Sequence, residues 1–246
     1  VSLIGTWIQS VAQSWLVFEL TKSAFLLGGV GFLTYLPISF LSLFGGVLAD
    51  RMNKRNILIF TETAFMLLAF VLAVLTQLKL ITPAQIMAIA LLNGAVMAFD
   101  APSRQAVVVE LVGKTHLLNA IALNSAAFNA ARIIGPALAG VLVATIGMSG
   151  CFYINGISFL AVIGALFLIN LKNSPKNNRH NKALQDLKEG LRFIKSHRLI
   201  LALMSIVGMV SLFGVSYIIL MPVFANDILK LGIRGLGFLM SSAGVG

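Results

Sequence analysis

Long apolar runs separated by short polar turns dominate the chain. Residues 25–49 carry no charged side chain, and residues 57–78 carry only Glu62. A helix needs about 20 apolar residues to cross the hydrocarbon core of a bilayer, so either run can span a membrane. Comparable runs predict helices over residues 1–20, 25–49, 56–78, 84 onward, 117–146, 151–171, 199–225 and 232 onward. The pattern therefore predicts an all-α membrane protein.

Two positions in this pattern are irregular. A proline inside a helix removes one backbone hydrogen bond and kinks the helix, so we expect the fifth helix to be interrupted at Gly135 and Pro136 and to end in a tight turn over residues 147–150. The fourth helix has two candidate ends, at residue 99 or at residue 110, and the pattern leaves both open.

Composition supports the membrane assignment and narrows the class of partner. Of the 246 residues, 59% are hydrophobic and 11% are charged, whereas soluble domains carry about 25% charged residues. The net charge of +10 does not indicate a nucleic-acid protein, because the bases gather in loops and not in a groove interleaved with aromatic residues. Cys151 is the single cysteine, so no disulfide framework is expected.

The distribution of bases predicts the orientation. Thirteen lie in the loops predicted to face inward and in the connector after the sixth helix, and four lie in the loops predicted to face outward. An excess of Lys and Arg marks the cytoplasmic side, so we expect a multi-pass protein of a bacterial cytoplasmic membrane. Residues 182–198 form an amphipathic basic pattern, which predicts either a helix along the anionic membrane surface or a solvated linker helix.

An internal repeat predicts two similar halves. The sequence Gly-x-Gly-Phe-Leu occurs at residues 29–33 and again at residues 235–239, which is 206 residues later. Residues 1 and 246 both fall inside apolar runs, so we expect a fragment of a longer protein. The predicted domains are a first bundle over residues 1–171, a connector over residues 172–198 and the start of a second bundle over residues 199–246.

The polar turn between the second and third helices carries a recognisable motif. Residues 46–55 read Gly-x-Leu-Ala-Asp-Arg-x-x-Lys-Arg, which resembles the loop signature of the major facilitator superfamily of secondary transporters. The resemblance implies the major facilitator fold, with an amino-terminal six-helix bundle and the first one or two helices of a second bundle. It also implies a gating role, in which Asp50 forms a charge relay with nearby bases. The residues of this gating loop are Gly46, Asp50, Arg51, Lys54 and Arg55.

A second motif lies in the fifth predicted helix. Residues 132–140 resemble the Gly-Pro motif of major facilitator antiporters, which is associated with exporters, and Arg132, Gly135, Pro136 and Gly140 are the positions that match. Small residues allow close helix contact in membranes, so a bent, thin helix at the interface of the two halves can seal or open a path. A proline kink that serves packing alone is the alternative.

Charged residues inside the predicted spans are candidate functional groups, because a charge at bilayer depth costs about 2.5–3.5 kcal/mol on insertion scales. They are Glu62, Asp100, Arg104 and Arg132. Asp100 and Arg104 are four residues apart and can pair on one helical face, and Asp100 can also meet Arg132. The cluster would hold a gate, bind a proton or meet an anionic substrate, or else serve as a structural ion pair, which is the interpretation we favour for Glu62.

Uncharged polar residues in the same helices predict a central cavity, because Asn and Gln side chains are costly in lipid. The expected cavity-lining residues are Gln9, Gln13, Asn124 and Asn129. One position departs from the family pattern: many drug exporters carry an Arg early in the fourth helix, where this chain has Ala90. That departure puts the usual proton-coupling residue in doubt.

Residues 99–106, together with residues 5–7 and 126–140, are similar to the branch that contains enterobactin and macrolide exporters. We therefore expect proton-coupled export of a small amphipathic molecule, a siderophore or a drug, by alternating access. The expected partners are the bilayer, the small molecule and the proton, with the protein acting as a monomer and with no cofactor, metal or nucleic acid. An importer of the same fold and a non-transporting scaffold are the alternatives. Hydrolase and metalloprotease motifs do not occur in the sequence, which indicates a protein that is not an enzyme.

Overall fold

The structure, a computed structural model, describes residues 2–113, 115–169, 189, 192–214 and 217–245. The helices are listed here in chain order: α1 is Ser2–Thr21, α2 is Ala24–Arg51, α3 is Lys54–Gln77 and α4 is Pro83–Val112. The next element, Leu117–Leu168, is two helices, because Gly147 (φ 77°, ψ 174°) leaves the helical region; we name residues 117–146 α5 and residues 148–168 α6. Then follow α7, Arg198–Met209; α8, Tyr217–Val223; and α9, Gly232–Val245. The described part contains no strand, which confirms the all-α prediction.

Side-chain caps mark where α2, α3 and α4 begin. Ser23 accepts a hydrogen bond from the backbone N–H of Leu26 at the start of α2, and Asn53 accepts one from the N–H of Arg55 at the start of α3. Thr82 forms a capping box with the residue three positions later at the start of α4. Such caps satisfy N–H groups that have no partner within the helix. The polar residues of the predicted turns therefore fix the helix boundaries.

The structure answers two questions about helix continuity. The helix α4 runs unbroken to Val112, so the longer of its two candidate ends is correct. The expected interruption at Gly135 and Pro136 is wrong, because α5 continues through both residues and the break lies at Gly147. A proline removes only one donor, which a membrane helix tolerates, whereas the positive φ of Gly147 ends the helical path in one step.

The predicted seventh helix, residues 199–225, is not continuous. Two π-helical segments, Val210–Gly214 and Phe224–Ile228, interrupt it and leave α7 and α8 as separate helices. Pro222 lacks an N–H and lies two residues before the second segment, and a wider π turn accommodates such an interruption of the hydrogen-bond ladder. The predicted amphipathic helix over residues 182–198 lies largely outside the described residues, as does Lys114.

Two contacts show which helix ends lie together. Lys54 at the start of α3 forms an ion pair with Glu110 near the end of α4. The guanidinium of Arg55 donates to the carbonyl oxygens of Leu166 and Phe167 at the end of α6, at 2.6 and 2.9 Å. We call this end of the bundle the basic end, and the end that holds the α1–α2, α3–α4 and α5–α6 turns the opposite end. The short basic turn and the end of α6 thus share one end, in agreement with the charge count.

More apolar side chains are buried near the opposite end than near the basic end. The main apolar core contains Phe18 of α1, Leu72 of α3, Ile86 of α4 and Phe152 of α6, and Leu236 of α9 packs into the same core. At the basic end, the residues that the structure describes form only a small buried cluster, of Leu58, Val107 and Leu166. The described elements of the second half therefore join the first bundle mainly away from the basic end.

The outer surface fits a bilayer. The helices α2, α3 and α4 and the element Leu117–Leu168 are long and apolar enough to cross a membrane, and many large apolar side chains on them are exposed, among them Phe25, Phe40, Phe44 and Phe60. Contiguous apolar surface of this extent is rare on soluble monomers and marks membrane or protein contact.

Candidate functional site

Three charged side chains predicted to lie inside the membrane meet between α3 and α4, and we call them the charge cluster: Glu62, Asp100 and Arg104. Arg104 forms an ion pair with Glu62 Oε1 and a second one with Asp100 Oδ2, the latter at 2.9 Å. Its Nε also donates to Asp100 Oδ2, at 3.1 Å. The four-residue spacing therefore does pair Asp100 with Arg104, and Glu62 joins them from the neighbouring helix.

Burial divides the members of the charge cluster. The side chains of Glu62 and Asp100 are 1% and 3% exposed, whereas that of Arg104 is 44% exposed. The two acids thus lie inside the α3–α4 interface, and the guanidinium reaches them from the accessible side. Removing charges from water is expensive unless they are paired and hydrogen-bonded, so Arg104 is what allows two carboxylates to be buried there.

The two acids are not equally satisfied. Asp100 Oδ1 accepts a hydrogen bond from the hydroxyl of Thr61 at 2.8 Å, and its Oδ2 accepts from Arg104. Glu62 Oε1 accepts from Arg104, but Glu62 Oε2 is buried and has no hydrogen-bond partner among the described residues. Among those residues, no three His, Cys, Asp or Glu side chains are placed to hold a metal ion.

Arg132 lies elsewhere, and the expectation that it can meet Asp100 is wrong. Its Nη2 donates to the carbonyl oxygen of Gly244 in α9 at 3.2 Å, and its Nε is buried without a partner among the described residues. Ser241 of α9 donates in return to the carbonyl oxygen of Ile133, at 2.6 Å. Although α4 and α5 are neighbours in sequence, α4 packs chiefly on α2 and α3, whereas α5 packs on α1 and α9.

The glycines of the helix-five motif make close helix contacts. A Cβ on Gly140 would lie 3.2 Å from the carbonyl oxygens of Ile233 and Arg234, at the start of α9. From the other side, a Cβ on Gly237 would lie 2.5 Å from the carbonyl oxygen of Pro136. Gly135 faces α1 instead, against the side chain of Trp7. The motif therefore presses α5 against α9 on one face and against α1 on another.

The gating loop differs from the expected relay. Asp50, at the end of α2, is exposed and forms no ion pair with Lys54 or Arg55, which are engaged by Glu110 and by the end of α6. The Asn53 cap starts α3 at once and turns both bases towards α4 and α6. A Cβ on Gly46 would meet no atom within 4 Å, and the side chain of Arg51 lies outside what the structure describes.

The expected cavity-lining residues separate into two groups. Gln9 is 9% exposed, and its Oε1 accepts a hydrogen bond from Asn155 Nδ2 at 2.7 Å, which corrects its assignment to a cavity. Gln13 is partly exposed, and Asn124 and Asn129 are exposed. Sequence reasoning missed Asn155 because its partner comes from a distant helix, and only its polarity inside an apolar run signals it.

Sequence reasoning did not identify the partners in the closest contacts between α2 and α4. A Cβ on Gly45 would clash with the carbonyl oxygen of Ala98, and one on Gly94 would clash with that of Thr34. The helices therefore touch backbone to backbone at two glycines, which is the packing that small residues permit in membranes. Spacing alone does not separate these glycines from the adjacent Gly46, where an added Cβ would meet no atom within 4 Å.

Comparison with known proteins decides the family. A family model described as transmembrane secretion effector matches residues 1–246. The chain belongs to the major facilitator superfamily. The loop signature over residues 46–55 therefore identified the superfamily correctly, whereas the narrower resemblance to enterobactin and macrolide exporters stays a prediction.

Relatives of this major facilitator chain come from several bacteria. It is 30% identical to the staphyloferrin A transporter of Staphylococcus aureus, over 98% of this chain and 61% of that protein. It is 27% identical to the uncharacterized MFS-type transporter YfiS of Bacillus subtilis, over 82% and 48%. It is 25% identical to the multidrug efflux pump Tap of Mycolicibacterium fortuitum, over 77% and 48%. The chain spans about half to three-fifths of the length of these curated relatives.

Proposed function

We propose that this chain is the amino-terminal part of a secondary active transporter that exports small amphipathic molecules, a siderophore or a drug, in exchange for protons. Residues 1–171 would form the first bundle, residues 172–198 the connector and residues 199–246 the start of the second bundle. The names of the relatives, a staphyloferrin A transporter and a multidrug efflux pump, support this class of cargo. The protein would be a multi-pass protein of the bacterial cytoplasmic membrane, with the basic end inside.

One observation carries the mechanism: the described contacts between the two halves lie at the opposite end and at mid-helix. Ile219 of α8 lies against Gly31 of α2, and α9 follows α5 from Gly140 to Arg132. Two repeats that meet along such an interface can rock against each other about it, which is the motion that alternating access uses.

Transport by the full-length protein tests this function. We would reconstitute it in sealed vesicles, impose a pH gradient and measure the flux of a panel of dyes and siderophores. Proton-coupled export predicts accumulation that collapses when the gradient is removed. Flux that ignores the gradient would contradict proton exchange, movement along the gradient in the uptake direction would indicate an importer, and no flux of any compound would favour a scaffold.

Holding the opposite end closed is expected to stop transport. A Cβ on Gly31 would lie 2.8 Å from Ile219 Cδ1, so cysteines introduced by Gly31→Cys and Ile219→Cys are within reach of a short thiol cross-linker that reduction removes. In a background without native cysteines, we expect cross-linking to abolish flux and reduction to restore it. The two single variants are the control, and full flux in the cross-linked protein would contradict alternating access at this interface.

Asp50 is proposed to act in another conformation, because it has no ion-pair partner among the described residues here. Since no contact is lost, Asp50→Asn is expected to leave insertion and stability unchanged. If the carboxylate finds its partner when the basic end closes, transport should fall by about 5-fold or more, the usual scale of coupling between conformations and sites. Asp227→Asn, an exposed acid near the opposite end, is the matched control, and undiminished flux in Asp50→Asn would exclude the role.

A further inference from the structure

The two acids of the charge cluster differ in the number of hydrogen bonds that they accept. Asp100 has a donor on each oxygen, Thr61 on one and Arg104 on the other. Glu62 has a donor on Oε1 alone, and its Oε2 is buried without one. A buried polar atom without a partner is costly, and a buried unpaired charge is more costly still.

Charge counting points the same way. Within the cluster two carboxylates share a single guanidinium, so with both acids ionised the α3–α4 interface would hold a net negative charge. Adding one proton to Glu62 Oε2 neutralises that charge and leaves Arg104 paired with Asp100. Removing the proton requires Arg104 to hold both acids at once, as the structure has it. The position of Arg104 and the protonation of Glu62 are therefore linked.

On these grounds, and resting on the proposed transport function, we propose that Glu62 is the side chain that binds the exchanged proton and that Arg104 is its positioning partner. The proton adds to Oε2 from solvent, the ion pair between Arg104 and Glu62 Oε1 opens, and the pair between Arg104 and Asp100 stays. Release reverses these steps. The side chain of Arg104 is 44% exposed, whereas those of the two acids are buried, so Arg104 is the member of the cluster with room to change position.

The surroundings of Glu62 isolate this exchange. From α4 it is faced by Asp100 and Arg104. The next charges along α3 are Arg55, seven residues away or about 10 Å at 1.5 Å per residue, and Lys54. Arg55 donates to carbonyl oxygens at the end of α6, and Lys54 is paired with Glu110. The helix α6 covers another face of α3, and its ionisable groups are Cys151 and Tyr153, both close to the opposite end. On α2, Tyr35 and the acid and base at its end are the ionisable groups.

The first test needs no transport. In the purified full-length protein, we would record the infrared band of protonated carboxyl groups over a pH titration for the wild type, for Glu62→Gln and for the exposed-acid control Glu19→Gln. We expect a titrating band in the wild type and in the control, and its loss in Glu62→Gln. An unchanged titration in Glu62→Gln would overturn the proposal, whatever the protein transports.

The second test uses a dye that the wild type transports. In Glu62→Gln we expect exchange of dye without a gradient to persist, accumulation driven by the pH gradient to be lost, and dye affinity to lose a pH dependence of about 5–150-fold. A merely structural ion pair would leave gradient-driven accumulation in place, because the amide keeps the size of the side chain and an acceptor for Arg104. The two proposals can also be separated. If the infrared band of the wild type depends on Glu62 but the wild type transports no dye in the panel, the proposed transport function is wrong and the proton-binding site at Glu62 is supported.

Two further variants keep the question decidable if Glu62→Gln does not insert. Glu62→Asp retains an acid and is expected to retain both the titrating band and the coupling. Asp100→Asn is expected to weaken the cluster but to keep coupling, because Glu62 is still present. Loss of the band in Asp100→Asn with retention in Glu62→Asp at an unchanged frequency would assign the proton to Asp100 and overturn the proposal.

Discussion

Replacing Arg104 by methionine is expected to reduce the free energy of unfolding of the full-length protein by about 3–5 kcal/mol, the usual cost of removing one partner from a buried ion pair. The substitution leaves two carboxylates, 1% and 3% exposed in their side chains, without their shared cation. Reversible unfolding in mixed detergent micelles, monitored by the helix signal in circular dichroism, measures the loss.

The control for Arg104→Met is Arg192→Ala, which removes an exposed arginine and is expected to change stability little. The double variant Glu62→Gln with Arg104→Met is expected to regain part of the loss, because one of the two stranded acids is then neutral. The effects of contacting residues are not additive, so this recovery measures their coupling. A loss below about 1 kcal/mol in Arg104→Met, the scale of an exposed pair, would contradict the burial assigned to the cluster.

Replacing Gly45 by alanine is the second large effect that we expect. The added methyl group would clash with the carbonyl oxygen of Ala98, and a backbone atom cannot rotate away, so α2 and α4 must separate. Overpacking of this kind costs about 1–3 kcal/mol, and here it also disturbs the main contact of α2. The same unfolding assay measures the change, together with the yield of inserted protein.

Gly28→Ala in the same helix is the matched control. A Cβ on Gly28 would meet nothing within 4 Å, and a helical glycine replaced by alanine without strain stabilises by about 0.4–1 kcal/mol. We therefore expect opposite signs for the two variants. Equal effects at positions 45 and 28 would show that helix propensity alone, and not the contact with α4, decides the outcome.

Much of the fold could be predicted from the sequence because a bilayer permits few backbone structures. Backbone groups must be satisfied within each span, so apolar runs such as residues 25–49 reveal the helices, and the bases between them reveal the shared end. The pairing of Asp100 with Arg104 followed from a spacing of four residues within one helix. Local periodicity determined each of these features.

The remainder depended on contacts between distant residues. Arg132 was expected near α4 because the two helices follow each other in sequence, yet its carbonyl partner, Gly244, comes from the second half. Gln9 is a polar residue in an apolar helix, as a cavity residue would be, but its side chain accepts a hydrogen bond from Asn155 of α6. The sequence also does not distinguish adjacent glycines: a Cβ on Gly45 would clash with the backbone of α4, whereas one on Gly46 would meet no atom within 4 Å. The sequence pattern shows that a helix has a face of polar or small residues, but the tertiary fold decides which helix packs against that face.

The direct junction between α5 and α6 has a mechanical consequence. Only Gly147, at φ 77°, departs from helical geometry between them, so the pair forms a hairpin without slack. The helix α6 is anchored to α3 through stacked aromatic rings such as Phe65 and Phe159. Any change in the angle between α5 and α6 is therefore a rotation about the two dihedral angles of one glycine, and with α6 held against α3 the two helices are expected to move against α9 as one unit.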